Sequence, residues 1–332
     1  MVNITRRTAL AGLAGLALPL TASLASAEDK TIIIGHFGTP LPFQAAVASG
    51  EFDKATGYKI EWRKFGSGAE VIAAMASGDI KISEIGSSPL AIGATQGVDY
   101  QLFALSDVIG AAESLIARNG SGIEKVADLK GKKVGVPLGS TSHYSLMGAM
   151  KNAGLTSADV EVLGMKPDQI SAAWDQGQID ATFIWEPAKG KALKSGKIIM
   201  SANQVDGAPT FDGWVVNTAF AKANPDFMKA FLKTLVAANA AYTSNPDSFT
   251  KDSAAVQGIA KSTGAPAEEV PAALKDYGFP SLAEMASDKW LGGGNVSNMA
   301  ATAKFLMENK RIDNVLPDYS KFVTTDYLKA AM

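Results

Sequence analysis

The sequence predicts an α/β protein built as two lobes of similar design, each a sheet covered by helices. Three observations carry this prediction. Short apolar runs alternate with helical stretches from residue 31 onward, the order that builds a parallel sheet flanked by helices. The pattern then recurs: Ala73-Ala74, Gly78, Ile80 and Ile85 reappear at identical spacing as Ala172-Ala173, Gly177, Ile179 and Ile184. Finally, 332 residues exceed one small core and suggest about two domains.

The first 27 residues read as an export signal. Arg6-Arg7 give a basic start, residues 9–20 are apolar but too short to span a bilayer, and Ala25-Ser26-Ala27 is a small-x-small cleavage site. The mature chain would begin near Glu28. Residues 5–10, Thr-Arg-Arg-Thr-Ala-Leu, also resemble a twin-arginine signal, so two export routes stand open. No later stretch is apolar enough for a membrane helix, which predicts a soluble, exported mature chain.

Residues 31–37 read as the first buried strand, and the Gly/Pro-rich turn 38–42 feeds a helix over 44–52. Residues 58–65 alternate like a strand. Gly66-Ser67-Gly68 turns into a helix over 70–76 that stops at Gly78, a natural left-handed cap. The strand 80–85 breaks at Gly86-Ser87-Ser88-Pro89 into a helix from about residue 90. Residues 132–136 form a strand, 137–140 a turn, and a helix follows from about 142. The repeat unit ends in Trp185-Glu186-Pro187. Residues 212–216 begin another strand, Asn224-Pro225 opens a long helix, and 256–262, 271–277 and 299–308 are helical. Residues 319–331 form a terminal segment packed on the body. With no low-complexity linker, the chain is expected to cross between lobes at extended stretches near 114–118 and 215–217. Residues 28–116 and 216–332 then make one lobe and 117–215 the other.

Composition excludes several classes. The content of 47% hydrophobic and 19% charged residues is that of a soluble globular protein. A net charge of −2 without a basic stripe argues against nucleic acid. Cysteine is absent, so there is no disulfide or thiolate nucleophile, and two histidines argue against a multi-histidine metal site. There is no Gly-x-Ser-x-Gly elbow, no phosphate loop and no His-Glu-x-x-His, so neither catalysis nor a cofactor is expected.

The polar residues at predicted strand ends suit a zwitterion better than a reaction. Ser140-Thr141-Ser142 place three hydroxyls at a helix start. Free amides and the helix dipole can hold an anion there without arginine, although an ordinary Ser/Thr cap accounts for the same residues. Ser87-Ser88 is a second such start, with the same two readings. His143 could donate from the first helical turn or simply pack. Glu113, Glu186 and Asp212 are carboxylates near strand ends, suited to an ammonium group. Glu113 reads equally as a hinge-surface acid. Trp185 and Trp214 stand beside two of these acids, and an aromatic face can hold a short alkyl chain or a cation.

Further stretches carry a resemblance. Trp62-Arg63-Lys64-Phe65, Gly86-Ser87-Ser88-Pro89-Leu90-Ala91, Ser140-Thr141-Ser142-His143-Tyr144-Ser145-Leu146, Gly177-x-Ile179-Asp180-Ala181 and Gly207-Ala208-Pro209-Thr210-x-Asp212-x-Trp214 occur in order along the chain. In these the mature chain resembles the substrate-binding proteins of taurine ABC transporters, within the wider group of periplasmic aliphatic-sulfonate and nitrate binders. The resemblance implies a type II periplasmic binding fold, two α/β lobes joined by a two-strand hinge and closing on a ligand. It implies capture of taurine or a related aminosulfonate, and docking on an ABC permease with its ATPase. Carried over, Ser87, Ser88, Thr141, Ser142 and His143 would surround the sulfonate, and Asp212 with Glu113 would hold the amine. Two positions depart from the family: Leu41 stands where a carboxylate is expected, and Glu186 where an alanine is. Either one acid has replaced the other across the cleft or the ligand differs. The alternatives are a binder of unsubstituted alkanesulfonates and a small enzyme on the same fold.

Overall fold

The computed structural model describes residues 30–207 and 209–332, so the signal and cleavage site expected over 1–27 lie outside the described residues. The first lobe is organised on β1 (Thr31–His36), β2 (Lys59–Lys64), β3 (Ile82–Gly86) and β4 (Gln101–Val108). The second carries β5 (Ser114–Arg118), β6 (Lys133–Val136), β7 (Glu161–Gly164), β8 (Ala181–Ile184) and β9 (Gly196–Ser201), and β10 (Phe211–Val216) returns to the first. The sheet orders are β2-β1-β3-β10-β4 and β7-β6-β8-β5-β9.

The repeat seen in the sequence occupies equivalent places. β3 and β8 are each the third strand of their sheet, each preceded by a helix, Gly68–Ser77 or Pro167–Asp175. Each then breaks into another helix, Ser87–Thr95 or Ala188–Leu193. The sheets are mixed rather than parallel throughout. β2, β1 and β3 run parallel, whereas β10 is antiparallel to β3 and β4. In the second sheet β7, β6 and β8 run parallel, and β5 is antiparallel to β8 and β9. The antiparallel members are those that flank the crossings, where the chain enters from the other lobe instead of from a helical crossover.

Both crossings lie earlier than the sequence suggested. Residues 114–118 pair with β8 and β9, so they belong wholly to the second sheet. Residues 211–216 pair with β3 and β4, so β10 is interior to the first. The chain therefore passes between lobes at 109–113 and 202–210. These segments hydrogen-bond to each other: Ala202 N–H donates to Glu113 O (2.9 Å), Asn203 N–H to Gly110 O (3.1 Å) and Ile109 N–H to Thr210 O (3.2 Å). Short paired connections of this kind permit bending while holding register.

The first lobe's core is aromatic. Trp214 on β10 lies 5.3 Å from Phe43 and 5.2 Å from Phe231, ring centre to ring centre, both edge-on. Such pairs add to the area that they bury. Phe43 opens the helix Phe43–Ser49, and Phe231 lies on the long helix Pro225–Ser244. The expected helix over 44–52 is in fact two, because Gly50 adopts φ 70° and ends the first. Gly78 ends its helix at φ 76°, as its sequence position suggests. Among the described residues no helix is long and apolar enough to cross a membrane.

Candidate functional site

The two lobes meet over a small cavity of ≈ 10 Å³, about the space of one water molecule. The first lobe supplies Phe37, Gly86, Pro89 and Asp212, the second supplies Ser140, Thr141 and Trp185, and Glu113 enters from the crossing. Chain direction explains the convergence. β3, β6 and β8 run parallel within their sheets and end at Gly86, Val136 and Ile184, each followed by a turn or helix that reaches the cavity. Ligands of open α/β sheets bind at that edge.

Gly86 is small because it must be. A Cβ there would lie 2.8 Å from Thr141 Cγ2 of the opposite lobe and 3.2 Å from Asp212 Oδ1.

The helix Thr141–Asn152 resolves one ambiguity of the sequence. Ser140 alone is its cap, accepting from His143 N–H at 3.1 Å and donating to Pro137 O at 2.6 Å. The hydroxyls of Thr141 and Ser142 are thereby released for other work. Thr141 Oγ1 donates to Glu113 Oε1 at 2.5 Å, so the Glu113 carboxyl rests on the start of this helix. Burial raises the Glu113 pKa to about 7, opposed by the Thr141 and Ser142 hydroxyls and by the charge of Lys189.

Asp212 sits opposite Gly86 on one side and Asp107 on the other. Burial holds its pKa well above the ordinary carboxylate range, and the charges of Glu84 and Glu113 push the same way. Glu84 and Asp107 are fully buried behind it. Glu84 accepts from Phe37 N–H (3.1 Å) and Ser106 Oγ (2.7 Å), and burial raises its pKa to about 7. Asp107 is also raised well above the ordinary carboxylate range, by burial first and then by Asp212, Glu84 and Glu113. Tyr277 completes the group: burial raises its hydroxyl pKa, and Asp107, Asp212, Glu186 and Glu113 add to the shift. Two carboxylates thus line the cleft and two more lie buried behind them, and the lining contains no lysine or arginine. The arrangement favours a positive group near Asp212 and Glu113, with hydroxyl and amide donors for a negative one at the helix start.

Not every expected residue joins them. Trp185 lines the cavity, with its ring 6.3 Å from Phe37. Trp214 does not: it is fully buried in the aromatic core of the first lobe. Ser87 accepts from Phe211 N–H at 3.4 Å, fastening β10 to the second helix start, and Ser88 is buried beside it. The His143 ring turns away, lining a separate cavity with Leu146 and Arg311. Glu186 is turned to its own helix, accepting from Gly190 N–H at 2.9 Å. Leu41 is fully buried in the core. Neither half of the exchange considered for Leu41 and Glu186 therefore lines the cavity.

Sequence reasoning missed Glu84, Asp107, Phe37, Tyr277 and Lys189. The signal for the first was available: an acid inside the run Ile82-Ser83-Glu84-Ile85 has no reason to be buried except to face other polar groups. Lys189 required the tertiary structure. Its buried ammonium crosses between lobes to Asp276 Oδ2 (2.7 Å) and Ala111 O (3.0 Å). Three more ion pairs span the lobes in the same sense, lysine on the second and carboxylate on the first: Lys166–Glu70 (2.5 Å), Lys194–Glu269 (3.3 Å) and Lys151–Glu308 (3.5 Å).

Comparisons with known proteins follow the same direction. The family model described as NMT1/THI5 like matches residues 42–249. The taurine-binding periplasmic protein of Escherichia coli strain K12 is 36% identical over 99% of this chain and 100% of its own length. Among solved structures, the alkanesulfonate-binding protein SsuA from Xanthomonas axonopodis pv. citri, bound to MOPS, superposes with a TM-score of 0.73 at 22% identity. That match covers 88% of this chain and 97% of the other. The desulfurization enzyme DSZB has the same fold, with a TM-score of 0.64 at 15% identity over 91% of this chain and 98% of its own. At such identities both structures speak for the fold alone.

Proposed function

This chain belongs to the NMT1/THI5-like family, and we propose that it is a periplasmic binding protein that captures taurine and delivers it to an ABC importer. The observation that carries the reading is a pair of acids set beside an uncharged helix start in one cleft. Two acids, Asp212 and Glu113, converge with a helix start bearing the Thr141 and Ser142 hydroxyls, and no lysine or arginine lines the cavity. Taurine carries one ammonium and one sulfonate. The ammonium takes Asp212, which loses its desolvation cost once a cation is beside it. The sulfonate takes the hydroxyls and amides of the Thr141 helix, displacing the Glu113 carboxyl from Thr141 and turning it toward the ammonium. Ser87 and Ser88 border the second helix start and Trp185 covers the alkyl chain. His143, Glu186 and Trp214 act from outside the ligand's contact surface.

A cavity of ≈ 10 Å³ cannot admit taurine, so binding requires the lobes to part at 109–113 and 202–210 and to close again. The protein acts by binding rather than by catalysis: the ligand's charges are matched in its ground state. Its membership of this family and its resemblance to exported relatives support delivery to a permease from the periplasm.

Calorimetric titration of the mature chain tests the reading. Taurine is expected to bind, and more tightly than β-alanine or ethanesulfonate. A buried ammonium left unpaired costs roughly 2–5 kcal/mol. Asp212→Asn is therefore expected to weaken taurine at least about tenfold and to change ethanesulfonate little. Equal losses for both ligands would show Asp212 to be structural, and absence of taurine binding would refute the function.

A further inference from the structure

The second cavity is larger than the cleft. At ≈ 500 Å³ it lies behind the helix Thr141–Asn152, walled on the other side by the end of the helix Gly294–Glu308 and the residues that follow. That volume lies within the range of small-molecule sites. Its floor is apolar, with Leu146, Met147, Met150 and Leu155, and its rim is basic, with Lys151, Lys310 and Arg311 against the single acid Glu308. A floor of this kind with an excess of positive charge at the rim fits an amphipathic anion.

The chain departs from local preference to build that rim. The helix Gly294–Glu308 ends in a doubly bonded C-terminal cap, Lys310 N–H to Met307 O and Arg311 N–H to Leu306 O, both 2.9 Å. The left-handed position of this cap ordinarily belongs to glycine. Here Lys310 holds φ 56°, the one non-glycine positive φ among the described residues. Glycine would fit the turn with less strain and would bring no charge. At the floor, His143 Nδ1 accepts from Gly139 N–H at 3.3 Å, which leaves the proton of the neutral ring on Nε2. That atom is buried and makes no hydrogen bond within the protein.

We propose that this cavity is a second ligand site, distinct from the cleft, for a small anion with a short alkyl body, its charge held by Lys310 and Arg311 and its chain laid on Leu146, Met147 and Met150. The headgroup chemistry is shared by alkanesulfonates and fatty carboxylates.

Hexanesulfonate and hexanoate serve as probes, titrated into the full mature chain already saturated with taurine. His36 and His143 are the only histidines, so the ring resonances of His143 report this cavity, and the indole of Trp185 reports the cleft. Saturable binding is expected, with His143 moving and Trp185 and His36 still. Binding of either probe in this manner supports the site and identifies its headgroup. Arg311→Gln and Lys310→Gly should each weaken the probe about threefold or more, the scale of one exposed charge contact. Lys310→Gly should at the same time raise the melting temperature, because glycine relaxes the cap, so lost affinity cannot be put down to a damaged fold. Met147→Trp, which fills the floor, should abolish binding. The inference is overturned if the probe moves only Trp185 or is excluded by taurine, if His143 never responds, or if Lys310→Gly binds as well as the wild type. Failure of taurine itself to bind would instead count against the function proposed above.

Discussion

Replacing Glu113 by glutamine should make the unliganded protein more stable while making it a poorer receptor. Folding raises the Glu113 carboxyl from an ordinary 4.5 to about 7, chiefly by burial. A carboxyl with a higher pKa folded than unfolded binds its proton more tightly when folded. Stability therefore falls as pH rises from 4.5 to about 7, and the full cost is present above that. At about 1.36 kcal/mol per pKa unit the cost is about 3 kcal/mol at pH 8. Glu113→Gln keeps an oxygen to accept from Thr141 and removes the charge. For roughly 300 residues with an unfolding entropy of about 2.1 cal/mol/K each, the variant should melt about 5 °C higher at pH 8. At pH 4.5 the two proteins should nearly coincide. Melting curves of unliganded wild type and variant from pH 4.5 to 9 measure this directly. The difference between the curves reports Glu113 together with its repulsion of Asp107 and Asp212, which relaxes in the variant and adds to its gain at high pH. Taurine affinity at pH 8 should fall about tenfold or more in the variant. A pH-independent difference in melting temperature would refute the reasoning, because it would mean that the carboxyl carries no desolvation cost.

Other perturbations separate closure from contact. Gly86→Val sets a methyl group against Thr141 Cγ2, where even a Cβ lies at 2.8 Å; closure should fail, with taurine affinity reduced at least about thirtyfold and no compaction on ligand addition by small-angle scattering. Lys189→Met removes a buried cation that joins the lobes; taurine should dissociate about tenfold faster, with its association rate little changed in stopped-flow, since loss of a buried ionic contact acts mainly on dissociation. Trp214→Phe should cost about 1–3 kcal/mol in denaturant unfolding by leaving a cavity against Phe43 and Phe231, yet leave taurine affinity within about threefold; a large selective loss of affinity would return Trp214 to the site.

Local chemistry along the chain determined a good deal about this protein. The alternation of apolar runs with helical stretches, and the unit recurring at Ala73 and Ala172, are properties of side-chain pattern, and both survive as β3 and β8 in matching sheet positions. Gly78 could be read as a helix stop because a left-handed cap needs only one residue's freedom. Asp212, Glu113 and Thr141 were legible as candidates because polar groups at strand ends face a cleft in any sheet of this kind. What the tertiary structure decided were the relations between distant segments. Residues 114–118 and 211–216 look alike as extended chain, and only pairing with β8 and β9, or with β3 and β4, assigns them to their lobes. Trp214 and Trp185 are both indoles beside an acid, yet one packs on Phe43 while the other lines the cavity, since Phe43 and Phe231 meet Trp214 only after folding. His143 follows Ser142 in the chain, but one step around a helix rotates a side chain by about 100°, enough to carry its ring out of the cleft and into the cavity beside Arg311.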